Sequence, residues 1–152
     1  MLDVKIMKLV EEAVIPQYSL EGDAGLDLTA TFRSYDEFGN MVYHTGIAIE
    51  IPKGYVGLLF PRSSVSKKQQ FLTNAVGVID SNYRGEIMLK FKPTVQSHNK
   101  VESLFNEMYE VGEKIGQLII LPYPSVNFIL SDNLSDTVRG SNGFGSTDKN
   151  NL

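Results

Sequence analysis

Apolar residues along this chain recur mostly at every second position, the spacing that places them on one face of a strand. Ile47, Ile49 and Ile51 alternate with Ala48 and Glu50 ahead of the turn Pro52-Lys53-Gly54. Ile87, Leu89 and Phe91 alternate with Glu86, Met88, Lys90 and Lys92, which predicts a half-buried strand. Tyr55 to Phe60, Leu118 to Leu121 and Val126 to Leu130 are short apolar runs between turn residues, expected to be buried strands. Glu37-Phe38-Gly39-Asn40 carries hairpin-turn chemistry, and Pro61, Pro93, Pro122 and Pro124 fall where strands should end. One segment breaks the rhythm. Val101, Leu104, Phe105 and Met108 have the spacing of one helix face, and Ser66 to Phe71 is a candidate for another helical turn. Many short strands with regular turns predict an all-β sandwich or barrel with one or two short helices.

At 152 residues the chain reads as one domain, with polar residues taking over from Asp132. Residues 1–131 are therefore expected to fold, and residues 132–152 to form a flexible C-terminal arm. The net charge is −4 and no stripe of Lys and Arg is visible, which argues against nucleic acid as a partner. Lys67-Lys68, the only adjacent basic pair, reads as a solvated edge. No apolar run approaches the ~20 residues of a membrane span. The N-terminus lacks the apolar core of a signal peptide, and cysteine is absent, so the expectation is a cytoplasmic protein with no membrane contact. His44 and His98 lack metal-ligand neighbours and read as structural or solvent-exposed.

The chemistry lies in five segments that interrupt the alternation. Asp23-Ala24-Gly25-Leu26-Asp27-Leu28 sets a carboxylate between two leucines. Pro61-Arg62-Ser63-Ser64 ends an apolar strand with a cation and two hydroxyls. Gly77-Val78-Ile79-Asp80-Ser81-Asn82-Tyr83-Arg84-Gly85 has the turn chemistry of a hairpin, with an acid and an aromatic. Gly116-Gln117-Leu118 puts an amide at the head of an apolar run. The fifth is Arg139-Gly140-Ser141-Asn142-Gly143-Phe144-Gly145-Ser146-Thr147-Asp148. Glycines let backbone approach an anion, hydroxyls and Arg donate to phosphate oxygens, and Phe144 offers a face for a base. That arm reads as a cover for a nucleoside phosphate.

In this order the five segments, spanning about Gly22 to Asp148, resemble the five motifs of the homotrimeric dUTP pyrophosphatases (dUTPases). The resemblance implies a jelly-roll-like β-barrel, a homotrimer with active sites shared between subunits, and hydrolysis of dUTP to dUMP and pyrophosphate with Mg²⁺. It implies that Asp80 activates the attacking water and that Tyr83 packs beneath deoxyribose and excludes a ribose 2′-hydroxyl. The backbone from Asn74 through Gly77, Val78 and Ile79 to Tyr83 would read the uracil edge. Arg62, Ser63, Ser64 and Gln117 would hold phosphates, Gln117 also lying near the water. Asp27 would help place Mg²⁺ through metal-bound waters. Arg139, Gly145, Ser146 and Thr147 would grip the γ-phosphate while Phe144 stacks on uracil.

Four positions depart from the family pattern: Asn82 for Asp, Leu26 for Tyr, Gly116 for Ala, and Asp148 for Gly. The stretch between Arg84 and Gln117 is also long, and residues 97–109 could serve a regulatory protein partner. One alternative is therefore a regulatory binding module on the same fold. Another is a dCTP deaminase, disfavoured because the strand after the turn reads Glu86-Ile87-Met88-Leu89 and lacks the Thr-Leu-Glu pattern.

Overall fold

The protein is described here by a computed structural model covering residues 1–94 and 108–143. Its strands are β1 Lys5–Lys8, β2 Leu26–Thr29, β3 Phe32–Tyr35, β4 Met41–His44, β5 Ile47–Glu50, β6 Tyr55–Phe60, β7 Gln70–Leu72, β8 Gly77–Ile79, β9 Met88–Pro93 and β10 Lys114–Pro122. They form two four-stranded sheets, ordered β2-β10-β6-β8 and β3-β4-β9-β7, and a two-stranded ribbon of β1 and β5. Every pairing is antiparallel. The sheets do not close into a continuous barrel among the described residues, but they share one core, as a jelly-roll-like fold requires.

Alternation builds that core. Ile47, Ile49 and Ile51 are buried while Glu50 is exposed, and the small Ala48 is buried as well. Ile87, Leu89 and Phe91 are buried from the other sheet. Tyr43, Phe91 and Tyr109 meet edge to face at 5.6 to 6.1 Å between ring centroids, the arrangement their quadrupoles favour. The Tyr43 hydroxyl donates to the Tyr109 carbonyl at 3.0 Å, and burial pushes its pKa up to about 12.

The hairpin turn between β3 and β4 falls where the sequence indicated. The Asp36 carboxylate accepts bonds from the Asn40 side chain and from the amides of Phe38 and Asn40. Those bonds, Asn40 foremost, and Lys90 hold it well below its ordinary pKa. Gly39 supplies the left-handed residue at φ +72°. Strands β6, β9 and β10 end at or beside Pro61, Pro93 and Pro122.

Three expectations need correcting. Val126–Leu130 is not a buried strand. It is extended chain without a ladder, with Phe128 94% and Leu130 100% exposed. Pro122 and Pro124 remove two backbone donors where β10 ends, and the run meets no partner strand among the described residues. The helical turn expected at Ser66–Phe71 instead occupies Ser63–Lys67 as a 3₁₀ helix, and Gln70–Leu72 joins β7 because it pairs with β9. Lys68 is not a solvated edge residue. It pairs with Glu113 at 3.1 Å, donates to the Met108 carbonyl and lies 4.9 Å over the Tyr109 ring. The proposed helix and insertion at 97–109 lie outside the described residues except for Met108 and Tyr109, which are buried in the core.

Phe91→Ala should destabilise the fold by about 3–5 kcal/mol, because it opens a cavity between the two tyrosines. A urea midpoint lowered accordingly would bear this out, and a shift near zero would show that the sheets pack independently of this cluster.

Candidate active site

The chain forms two separate clefts from its motif residues. The first, of about 350 Å³, lies where β8 and β9 part. These strands follow one another in sequence but belong to different sheets, so the expected hairpin is a turn joining two sheets, not a paired ladder. The Tyr83 amide donates to the Asp80 carbonyl at 3.1 Å, closing that turn. Asn74, Val78, Ile79, Asp80 and Tyr83 line the cleft, above a floor of Leu59, Leu72 and Leu89. Ala75, at φ +56°, turns the chain between β7 and β8. Gly77 packs closely on Leu59, where an added Cβ would lie 3.1 Å from its side chain.

Tyr83 is held in place rather than loosely exposed. Its hydroxyl donates to the Glu86 carbonyl at 3.0 Å, and its ring lies so close to Gly85 that a Cβ there would sit 2.3 Å from the hydroxyl oxygen. Asp80 is exposed at the rim, where its carboxylate can reach a water molecule.

The second cleft, of about 340 Å³, is lined by Asp23, Gly25, Asp27, Arg62, Ser63 and Gln117. Strand β10 pairs with β2 so that Gln117 faces Asp27, and with β6 so that Gln117 faces Phe60. Gln117 Nε2 donates to the Pro61 carbonyl at 3.1 Å, which fixes the amide beside Arg62 and Ser63. Gly25 makes room for it, because a Cβ there would stand 2.3 Å from Gln117 Oε1.

Asp27 organises the cations. Its Oδ1 pairs with Arg62 Nε at 2.9 Å, and its Oδ2 with Lys114 Nζ at 2.7 Å. Ser19 Oγ donates to Oδ2 at 2.8 Å and accepts from Lys114 at 3.1 Å. Burial pushes the Asp27 carboxyl up, but the hydrogen bonds from Lys114 and Ser19 and the charges of Arg62 and Lys114 outweigh it, so it ionises below its ordinary value. Arg62 and Lys114 thus flank one carboxylate, which gathers two cations beside the cleft.

Among the described residues no three acidic, His or Cys side chains converge into a metal cage. Mg²⁺, however, is commonly held by one or two carboxylates together with substrate phosphates. Asp23 and Asp27 in one cleft fit a cation that arrives on a polyphosphate, and do not fit a resident one.

Lys114 and Ser19 were missed from sequence, and so was Tyr109, whose hydroxyl lies 3.2 Å from Ser64 Oγ. A β-bulge explains Lys114. Lys114 pairs with Thr29 and Gly116 with Leu28, so Ile115 is the extra residue and Lys114 comes to the Asp27 face. Strict alternation would put positions 114 and 117 on opposite faces. Of the arm, Arg139 is exposed and donates from Nε to the Asn142 carbonyl at 3.0 Å. Phe144, Gly145, Ser146, Thr147 and Asp148 lie outside the described residues. His44 is structural, as expected; His98 lies outside the described residues.

The family model described as dUTPase matches residues 11–148. The chain belongs to the dUTPase family. It is 35% identical over 150 residues to the deoxyuridine 5′-triphosphate nucleotidohydrolase of Escherichia phage T5, covering 93% of this chain and 96% of that protein. It is 38% identical over 148 residues to the enzyme of the same name from Crocosphaera subtropica, covering 96% and 99%. A mutant dUTPase of Staphylococcus bacteriophage 80alpha with dUpNHpp superposes with a TM-score of 0.78 at 26% identity, covering 97% and 99%. The dUTPase of phage phi11 of S. aureus, for which coordination of a structural Mg(II) ion is described, shares the fold with a TM-score of 0.70 at 23% identity, covering 87% of this chain and 98% of that one.

Asp27 also predicts a pH dependence. Its carboxyl pKa is lowered from 3.8 in the folded protein, so its ion pairs contribute fully above that value and are lost as pH falls through the folded one. Asp27→Asn should therefore lower the urea midpoint at about pH 7, with the difference from the parent shrinking toward about pH 3. A pH-independent difference would assign the loss to packing.

Proposed function

We propose that this protein is a dUTP diphosphatase, hydrolysing dUTP to dUMP and pyrophosphate. Membership of the dUTPase family carries the reaction. The observation that carries the residue roles is the convergence of Asp80 and Tyr83 with the Asn74–Ile79 backbone in one cleft, while Arg62, Ser63 and Gln117 line the other.

In this reading uracil enters the first cleft, where backbone groups between Asn74 and Ile79 meet its polar edge. The leucine floor gives the base an apolar surface and limits extra substituents. Deoxyribose rests on Tyr83, whose anchored ring leaves no room for a 2′-hydroxyl. Asp80 takes a proton from water as the water oxygen bonds to the α-phosphorus, and the α–β bridging bond breaks to release pyrophosphate. Arg62, Ser63 and Ser64 bind phosphate oxygens, and Gln117 orients from the β10 side. Asp27 and Asp23 would hold Mg²⁺ through its waters, and the bound ion would offset the roughly four negative charges of the triphosphate.

We read the protein as a homotrimer in which one subunit supplies the base cleft, another the phosphate cleft and a third the arm. Support comes from the two clefts, which share no lining residue, and from the exposed run Val126–Leu130, an apolar segment with no partner strand among the described residues and so suited to burial against another copy. Residues 132–152 act as the closing arm. The described part of it, 132–143, is exposed and contributes no strand. Phe144 stacks on uracil, and Arg139, Gly145, Ser146 and Thr147 reach the γ-phosphate.

The test is pyrophosphate release from dUTP, dCTP, dTTP and UTP, each with and without Mg²⁺, with ammonia measured in parallel. Release should be confined to dUTP and raised by Mg²⁺. Ammonia from dCTP would transfer the chain to the deaminases, and no release from any of the four would leave a binding module. Asp80→Asn should lower turnover ~10²–10⁴-fold while nucleotide binding persists; near-parental turnover would remove Asp80 from the mechanism. Truncation before Arg139 should cripple turnover and spare the fold, and full activity would contradict the closing arm.

A further inference from the structure

Glu86 sits directly after the catalytic turn and lines the base cleft, yet its carboxylate is occupied. Oε1 accepts the Gly46 amide at 2.8 Å, and Oε2 lies 2.9 Å from His44 Nδ1. His44 is fixed from its other side, with Nε2 3.3 Å from Ser34 Oγ and its ring tilted against Phe32 at 5.4 Å. With hydrogen on Nδ1, the ring donates to Glu86 and accepts from Ser34. Two further bonds join the same segments: the Ile87 amide donates to the Ile47 carbonyl at 2.9 Å, and Thr45 Oγ1 donates to the Ile87 carbonyl at 2.6 Å.

Four bonds therefore rivet residues 86 and 87 to the turn between β4 and β5. The Glu86 carbonyl is the group that receives the Tyr83 hydroxyl. Among the described residues no other hydrogen bond holds the outer end of Tyr83, and the ring lies on Gly85, which has no side chain to brace it. The position of the ring thus follows from where Glu86 is held, and Glu86 is held from an adjacent turn by His44 and Gly46.

We propose that His44 and Glu86 form a positioning pair that sets sugar selectivity, holding the Tyr83 ring where a ribose 2′-hydroxyl would collide with it. Both residues would act through Tyr83, since the Glu86 carboxylate is already engaged by Gly46 and His44. This rests on the reading of Tyr83 as the surface beneath deoxyribose. A ring fixed at its hydroxyl end excludes one extra oxygen by shape; a ring free to tilt admits it, because the space needed is only that of a hydroxyl group.

The test measures kcat/KM for dUTP and for UTP in the full-length protein and takes their ratio. Variants are Glu86→Ala, Glu86→Gln, His44→Ala and, as controls, Tyr83→Phe and Tyr83→Ala. Glu86→Ala should lower the dUTP/UTP ratio about 10-fold, the equivalent of one hydrogen bond, and His44→Ala should lower it by less. Glu86→Gln, whose carbonyl can still accept from Gly46 or His44, should restore most of it. A purely structural role would slow both substrates together and leave the ratio unchanged, which overturns the proposal. Should Glu86→Ala not fold, an unchanged ratio in His44→Ala serves the same purpose. The Tyr83 controls separate the two readings. If Tyr83→Phe relaxes the ratio and the pair does not, the positioning pair fails. If Tyr83→Phe leaves the ratio unchanged, the hydroxyl anchor does not set selectivity and the positioning pair fails; an unchanged ratio in Tyr83→Ala, which removes the ring, defeats the sugar-gate reading instead.

Discussion

The pairing of β10 on both edges is the constraint on which most of this molecule depends. At nine residues it is the longest strand among the described residues, and it is bonded to β2 on one side and β6 on the other. That double pairing places three motifs in adjacent rows: Asp27 on β2, Gln117 on β10, and the Pro61–Ser64 segment leaving β6. The bulge at Ile115 adds one residue on the β10 side, which buries Ile115 in the core while bringing Lys114 round to Asp27. Without that extra residue the carboxylate would face one cation instead of two. The anion-binding character of the cleft is therefore a consequence of strand register as much as of residue choice.

The base cleft has a different origin. Strands β8 and β9 are consecutive in sequence, but one pairs with β6 and the other with β4 and β7, so the turn between them spans a gap between sheets. A paired hairpin would fill that gap with its own ladder. Here the gap is left open, floored by leucines from three strands and rimmed by polar turn residues. The glycines serve close approach rather than flexibility: Gly85 lies under the Tyr83 ring, and Gly25 lies against the Gln117 amide. Tyr83 and Gln117 thus each lie against backbone that a larger residue would block.

Electrostatics and assembly follow from these placements. A protein with net charge −4 binds a polyanion only if cations are gathered locally, and Asp27 does this by pairing with Arg62 and Lys114 at once. The same sheets leave Val126–Leu130 exposed and without a partner strand among the described residues.

Much of this was legible in the chain. Period-two alternation located β5 and β9, short apolar runs located β6 and the centre of β10, and glycine and proline marked their ends, because these signals are local. The ordered motifs identified the family, and they also named Asp27, Arg62, Asp80, Tyr83 and Gln117. Other features were not legible from local pattern. Val126–Leu130 has the composition of a buried strand, but burial requires a neighbour that the described residues do not provide. Lys68 looks solvated until Glu113 and the Tyr109 ring come beside it from forty residues away. Lys114 is out of phase with Gln117 until the bulge shifts it, and Glu86 and His44, 42 residues apart, have no reason to be read together. The sequence by itself determined that the fold is built of short strands and which motif residues are candidates for the chemistry, since these depend on neighbours in the chain. Tertiary structure alone decided which of those residues meet, because meeting depends on register, bulges and the choice of sheet, and these are set by packing across the core.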